Sequence, residues 1–398
     1  MKITLVIASL NGGGAERVAS NMANYWTNKG WEISILTMCG SNNASAYDLH
    51  PKVVRHDLGA RPTGHSMPDQ RSLAVLVEML NNCSVAERSI FISDFNLILA
   101  LRDAIISTAP EVVISFIDVT NVRTVLATRG LRLPVIVTEH CDPNHNYLGE
   151  GWEGLRRRSY TGAECLTVPN EEIVAYFSSF MDGRVRVIPY PISNGAHAPV
   201  DEGRARRKEV RTLLAVGRLA HEKGFDLLLE AFALVAPRQP SWCLQILGDG
   251  ELRSQLEQSA SALGLAQRVR FGGFTKFPFE VMRQADLFVV PSRCEGFPNV
   301  LLEAMACGLA AVSFDCPSGP RHIIRDGIDG VLVPPEDVPA LAATLERLME
   351  DEAERRRLAA MAPQVLERFG MEKVMNLWSQ LVCAVMLKPG AKNSDASQ

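Results

Sequence analysis

Short apolar runs of strand length alternate with longer stretches whose apolar residues recur every three or four positions, and this alternation persists along most of the chain. Residues 3–10 read as a buried strand, 12–14 as a tight glycine turn, and 15–29 as a helix carrying Val18, Met22, Tyr25 and Trp26 on one side. A strand over 33–38 completes a β-α-β unit. Further on, 53–58 suggests a strand, 59–69 a loop rich in Pro and Gly, and 72–80 a helix. The rhythm then resumes with a helix over 95–108, a strand over 112–116, a helix over 120–129, strands over 135–138 and 163–168, a helix over 171–180 and a strand over 185–188. A polar, basic segment at 193–211 interrupts it and reads as a linker. A second series follows, with strands over 212–216, 242–247, 269–271, 287–290, 310–314 and 331–333. Helices over 226–236, 252–263, 279–285 and 300–306 separate them, and helices over 339–349, 352–369 and 372–387 end the series. Strands alternating with helices predict parallel sheets covered on both faces.

The chain of 398 residues exceeds what one core usually organises. The expected division is therefore a first Rossmann-like domain over 1–192, the linker, a second over 212–370, a terminal helix over 371–387 and a disordered tail over 388–398. Two doubly wound α/β domains are expected to face each other across a cleft, where ligands tend to bind. A net charge of −4 argues against nucleic acid as the main partner. Nine cysteines without C-x-x-C or Cys/His ligand spacing argue against a disulfide scaffold and a structural zinc site, and fit a reducing cytoplasm. The apolar start runs directly into Asn11-Gly12-Gly13-Gly14 with no A-x-A-like cleavage site, so it reads as a first strand rather than a signal peptide. No uninterrupted apolar window is long enough to span a membrane.

The densest candidate chemistry is Arg293-Cys294-Glu295-Gly296-Phe297-Pro298-Asn299-Val300-Leu301-Leu302-Glu303. Pro298 reads as a helix start, which puts Glu295 on the preceding loop and Glu303 inside the helix. A helix start offers unpaired backbone N–H groups and a partial positive charge to an anion such as a diphosphate. The strand over 287–290 lies just upstream, so Glu295 follows a strand's carboxyl end, where open α/β sheets bind ligands. Arg218 and Lys223 follow another strand end and precede a helix, an arrangement suited to phosphate oxygens. His140 ends the strand over 135–138, within hydrogen-bonding reach of whatever enters there, and Asp118 follows the strand over 112–116. For each of these a bland reading stays open: Glu303, Arg218 and Lys223 as solvated surface charges, and His140 as a structural histidine. The first glycine turn does not make a dinucleotide site, because the third glycine of G-x-G-x-x-G falls at Arg17 and no acid ends the second strand. No H-E-x-x-H, P-loop, G-x-S-x-G or D-x-D motif occurs, so no metal or cofactor site is expected and a departing diphosphate must be met by cations and amides.

With these residues in place, the sequence resembles the family 4 retaining glycosyltransferases of the two-domain GT-B architecture, over nearly its whole length. The E-x7-E motif from Glu295 to Glu303 is the most specific element. Gly12-Gly13-Gly14-Ala15-Glu16-Arg17, Val216-Gly217-Arg218-Leu219, Glu222-Lys223-Gly224-Phe225 and Gly248-Asp249-Gly250 stand in the family's order. Thr138-Glu139-His140 and Cys316-Pro317-Ser318-Gly319-Pro320-Arg321 look most like the bacterial polysaccharide branch with amylovoran-type galactosyltransferases and N-acetylgalactosamine transferases. The resemblance implies a retaining, metal-independent hexosyltransferase. It implies a UDP-sugar donor of galactose, N-acetylgalactosamine or glucose, and a saccharide acceptor linked to polyprenyl diphosphate. Glu303 would bind the ribose, Arg218 and Lys223 the diphosphate, and Glu295 the donor sugar. The amides of Phe297, Asn299, Val300 and Leu301 would line the site, Gly13 and Gly14 would approach the diphosphate, and His140 would lie by the sugar. The terminal helix would return to the first domain. Arg156-Arg157-Arg158 and the cluster from Arg204 to Arg211 suggest an anionic membrane surface as a partner, with a solvated basic face as the alternative. Two other readings stay open: a GT-B epimerase or phosphorylase, and a GT-B protein that binds a nucleotide sugar or glycan without turnover.

Overall fold

The apolar runs become the strands of two parallel sheets in a computed structural model that describes residues 1–39, 45–59, 69–192 and 210–387. The chain divides into two compact units, residues 1–189 with 374 onward, and residues 190–373. The first unit runs β1 (Lys2–Ile7), α1 (Gly14–Asn28), β2 (Glu32–Thr37), β3 (Val54–Asp57), α2 (Gln70–Asn81), α3 (Val85–Thr108) and β4 (Val112–Phe116). It continues with α4 (Asp118–Thr128), β5 (Val135–Thr138), α5 (Glu150–Tyr160), β6 (Cys165–Val168), α6 (Val174–Met181) and β7 (Val185–Val187). The second runs β8 (Arg211–Val216), α7 (Phe225–Val235), β9 (Trp242–Leu247), α8 (Arg253–Ala262), β10 (Val269–Gly273), α9 (Pro278–Gln284) and β11 (Leu287–Val290). Then come α10 (Asn299–Ala306), β12 (Ala311–Phe314), β13 (Val331–Val333), α11 (Val338–Glu350), α12 (Glu352–Met361) and α13 (Val365–Phe369). The last helix, α14 (Met371–Met386), starts in the second unit and continues into the first.

The first sheet has the order β3-β2-β1-β4-β5-β6-β7 and the second β10-β9-β8-β11-β12-β13. Every strand pair in both is parallel. In each sheet the direction of winding reverses once, between β1 and β4 and between β8 and β11. A doubly wound sheet opens a crevice at the carboxyl ends of the two strands flanking such a reversal, because the loops there leave to opposite faces. Central strands are buried on both sides, as β4 and β11 are along their whole length, which is why they read as continuous apolar runs.

Two helices were hidden from the pattern. Helix α3 starts ten residues before the expected 95, at a capping box in which Ser84 and Glu87 satisfy each other's backbone amides. Helix α5 falls where no helix was expected. Glu87 and Arg156, both buried, occupy the inner faces of these two helices and break their apolar stripes. The expected single helix over 352–369 is divided by a 3-10 turn at Ala362–Gln364, because Pro363 has no N–H to continue the ladder. Pro298 is the N-cap of α10 rather than its first residue. Most of the expected linker with Arg204, Arg206, Arg207 and Lys208, and the expected disordered tail over 388–398, lie outside the described residues.

Candidate active site

The candidate residues of the second unit gather at the reversal between β8 and β11. After β8 the chain passes Gly217 and Arg218, forms a 3-10 turn at His221–Lys223, and enters α7 through Gly224. Gly224 has φ +62°, and a Cβ there would lie 2.0 Å from the carbonyl oxygen of Pro291, so the loops after β8 and β11 touch backbone to backbone only because this residue is glycine. Lys223 Nζ donates to Glu295 Oε1 at 2.7 Å, and Ser292 Oγ donates to the same oxygen at 2.7 Å. The Glu295 side chain is 9% exposed and that of Lys223 25%, so this ion pair is mostly withdrawn from water. Arg218 is largely exposed, and its Nη2 donates to Glu222 Oε1 at 2.6 Å. Burial pushes the Glu222 carboxyl up, but the hydrogen bond from Arg218 and the charges of Arg218 and Lys223 outweigh it and hold it below the ordinary carboxylate range.

Glu295 leads into α10, and the segment from Cys316 to Gly319 packs over it. A Cβ on Gly319 would lie 2.9 Å from Glu295 Cβ and 3.0 Å from Pro298 Cδ, while Ser318, fully buried, holds a left-handed φ of +70°. The Phe297 side chain is not part of a ligand surface: it is buried edge-on between Tyr190, with ring centroids 5.4 Å apart, and Phe369, at 5.5 Å. Asn299 and Val300 open the first turn of α10, but the Leu301 amide donates to the Pro298 carbonyl at 3.0 Å and so belongs to the turn. Glu303 is buried inside α10 at 2% exposure, which removes its reading as a solvated surface residue.

One residue that the sequence reading passed over ties these loops together. Arg293 forks onto Asp226, with Nη1 to Oδ1 at 2.8 Å and Nη2 to Oδ2 at 2.6 Å. Its Nε donates to Glu336 at 3.1 Å, its Nη1 also to the His221 carbonyl at 2.8 Å, and its own amide to the Glu222 carbonyl at 2.9 Å. Its place two residues before Glu295 was visible in the sequence, but its partners, more than forty positions away, were not.

In the first unit, the Gly12-Gly13-Gly14 turn follows β1. Gly13 is the N-cap of α1; a Cβ there would lie 2.2 Å from a Glu16 carboxylate oxygen, and its carbonyl accepts from Tyr47 Oη at 2.9 Å. Gly14 is the first residue of α1. His140 follows β5, with Nε2 2.9 Å from Thr138 Oγ1 and its ring 5.7 Å from that of Phe116. The residue keeps some exposed surface, but Nδ1 is enclosed, and burial lowers the imidazole pKa to about 3. His140 is therefore neutral at physiological pH, a hydrogen-bonding group rather than a cation.

Behind His140 lies a buried ionic cluster. Arg156, 1% exposed, stands 3.5 Å from Glu139, 3.7 Å from Asp118 and 3.1 Å from Glu153. Tyr160 Oη donates to Glu139 Oε1, and Asn121 Nδ2 bridges the Thr138 carbonyl and Tyr160 Oη. Burial pushes the Glu139 carboxyl up to about 7, with Arg156 opposing the shift and Asp118 adding to it. Of the basic stretch Arg156-Arg157-Arg158, Arg156 is enclosed by three carboxylates and is not available to a membrane, whereas Arg157 and Arg158 are exposed, Arg158 pairing with Glu87 at 2.9 Å and Arg157 lying over the Tyr176 ring at 5.0 Å. Arg211 likewise pairs with Glu352 at 2.7 Å. Asp118, at the start of α4, serves the cluster and accepts from Asn146 at 3.1 Å. A cavity of about 500 Å³ at the amino-terminal edge of the first sheet, lined by Lys2, Glu32, Lys52 and His56 among others, contains none of these residues.

Comparison with known proteins places this arrangement. The family described as Glycosyl transferases group 1 matches residues 200–365, and that described as Glycosyl transferase 4-like domain matches residues 13–191. A protein of Campylobacter jejuni, named GalNAc-alpha-(1->4)-GalNAc-alpha-(1->3)-diNAcBac-PP-undecaprenol alpha-1,4-N-acetyl-D-galactosaminyltransferase, is 31% identical over 387 residues, covering 97% of this chain and 99% of that protein. The amylovoran biosynthesis glycosyltransferase AmsD of Erwinia amylovora is 34% identical over 176 residues, 44% of this chain and 49% of that protein. Among solved structures, HepE of Anabaena in complex with UDP superposes with a TM-score of 0.73 at 18% identity, covering 96% of this chain and 100% of that one. The two parallel-sheet units thus have counterparts over nearly the full length, and the chain belongs to the group 1 glycosyl transferases, of the GT-B type.

Proposed function

We propose that this chain is a retaining, metal-independent hexosyltransferase that moves galactose, N-acetylgalactosamine or glucose from a UDP-sugar to a saccharide acceptor carried on a polyprenyl diphosphate. The observation that carries the reading is the Lys223–Glu295 pair at 2.7 Å, set beside the amino end of α10 at the winding reversal of the second unit. Breaking the bond between a sugar and a diphosphate leaves positive character at the anomeric carbon and adds negative charge to the leaving phosphate. Lys223, Arg218 and the first-turn amides of α10 supply positive potential where that charge develops, an effect worth about 3–4 kcal/mol per well-placed donor in sites of this kind. Arg218 pairs with Glu222 at an exposed position, where an ion pair contributes little, so turning onto phosphate oxygens would cost little. Glu295 is assigned to the donor sugar and Glu303, buried inside α10, to the ribose. In this reading the departing phosphate takes the proton of an acceptor hydroxyl that attacks on the same face, and no protein base is required.

The lipid-linked acceptor is supported by the PP-undecaprenol in the name of the Campylobacter relative. Work on such an acceptor would hold the enzyme at the inner face of the cytoplasmic membrane through its substrate. Among the described residues no helix is long and apolar enough to cross a membrane.

Purified protein incubated with UDP-galactose, UDP-N-acetylgalactosamine and UDP-glucose, without acceptor, tests the reading through release of free UDP. Slow release from one of the three is the expected result. GDP release from a GDP-sugar instead would overturn the donor assignment, and UDP binding without release from any donor, with or without a polyprenyl-diphosphate acceptor, would favour a binding protein.

A further inference from the structure

We propose that Arg293 is a positioning residue of the donor site, one that sets the Lys223–Glu295 pair by clamping three strand-end loops together. The inference rests on the donor-site reading of Lys223 and Glu295 above.

The argument begins with what holds Lys223. It ends a three-residue 3-10 turn, an element too short to hold its own position, followed at once by Gly224 in a left-handed conformation. The turn is fixed from outside, and Arg293 does the fixing at both of its ends. Its guanidinium reaches the His221 carbonyl before Lys223 and the Asp226 carboxylate after it, and its amide reaches the Glu222 carbonyl between them. Arg293 itself stands two residues before Glu295. One side chain and one amide thus set the loop bearing the cation against the loop bearing the carboxylate.

The third loop is the one after β13. Glu336 accepts from Arg293 Nε at 3.1 Å, and its backbone sits at φ +58°, a region that costs a non-glycine residue energy unless its surroundings hold it there. The Arg293 side chain is 16% exposed, while its partners Asp226 and Glu336 keep 44% and 55% of their side-chain surface, so the guanidinium is the sheltered half of these charge-assisted bonds. Asp226 answers the fork: burial raises its carboxyl, but the hydrogen bonds and charge of Arg293 hold it below the ordinary carboxylate range. Only a planar guanidinium can make these contacts at once. A lysine keeps the charge but has a single nitrogen on a flexible stem, so it cannot serve the Asp226 fork, the Glu336 carboxylate and the His221 carbonyl together. The clamp therefore depends on shape, and Arg293→Lys separates shape from charge.

The test is UDP affinity by calorimetry on the full chain carrying Arg293→Lys, Asp226→Asn, Lys223→Ala and the pairs of these. If Arg293 acts through Lys223, Arg293→Lys weakens UDP binding about tenfold, a coupling typical of residues in one ionic network. Asp226→Asn has a similar effect, and the two together are no worse than one. In a Lys223→Ala background, Arg293→Lys then changes the affinity by less than about twofold, because the group it positions is gone. A purely structural loss would instead add its full effect in that background, and this result overturns the proposal, as does parental affinity in Arg293→Lys. A Lys223→Ala chain that binds UDP as the parent does would overturn the donor-site reading itself, which distinguishes the two failures.

Discussion

At the scale of single residues, the proposed donor site separates groups assigned to a ligand from groups that hold them. Lys223 and Glu295 pair with each other, and Glu295 also accepts from Ser292. Glu295→Ala and Lys223→Ala are accordingly expected to lower turnover about 100- to 1000-fold, the usual loss for a group that offsets transition-state charge. The urea midpoint should move far less. Parental transfer rates in either variant, measured with the native donor, would remove these residues from the site. The motif from Glu295 to Glu303 and the cations at 218 and 223 were legible in the sequence because strand-end loops keep their chemistry close together in the chain. Arg293 was not, since an arginine two positions from a candidate carboxylate looks the same whether it faces water or joins Asp226 and Glu336. The Phe297 ring shows the opposite limit: its place in the motif was plain, but that its side chain packs between Tyr190 and Phe369 depends on residues far away in sequence.

At the scale of elements, the strands were readable and some of the helices were not, for one physical reason. A parallel strand buried on both faces must be apolar throughout, whereas a helix needs only one buried side, and a charge there can be neutralised by a partner the sequence does not reveal. Helix α5 is the case in point, with Arg156 set among Asp118 of α4, Glu139 after β5 and its own Glu153. Glu139 is the most enclosed of the three carboxylates, and burial, with smaller additions from Asp118 and Glu153, raises its pKa from 4.5 to about 7 against the opposing charge of Arg156. Between these two values the folded chain holds a proton that the unfolded chain has released. The folded state binds more protons there, so this group's contribution to stability falls as pH rises through that window and levels off above it. In Glu139→Gln the contribution vanishes. Urea midpoints of parent and variant between about pH 5 and 8 should show the parent losing ground to the variant up to about pH 7. A difference that stays flat, or grows in the parent's favour as pH rises, would mean that Arg156 keeps Glu139 ionised throughout.

At the scale of the whole molecule, the first unit is not continuous in sequence. Its sheet is built from residues 1–189, but α14, which follows the second unit in sequence, joins it, and Trp26 Nε1 donates to Ser379 Oγ at 3.1 Å where that helix meets α1. Val374, Met375, Trp378, Val382 and Val385 are all buried. Trp378→Ala should cost about 3–5 kcal/mol. Hydrogen exchange should show the loss as faster exchange in β1 and α1, with β8 and β9 keeping their protection; uniform loss, or none, would contradict this placement of the helix. The return of α14 also orders events in time. A ribosome adding about 5–20 residues per second needs roughly 10–40 s to make residues 190–373. Throughout that interval the nascent first unit displays, uncovered, the apolar surface that awaits the last helix, so the moment of greatest exposure to aggregation falls before synthesis ends and lasts as long as the second unit takes to emerge.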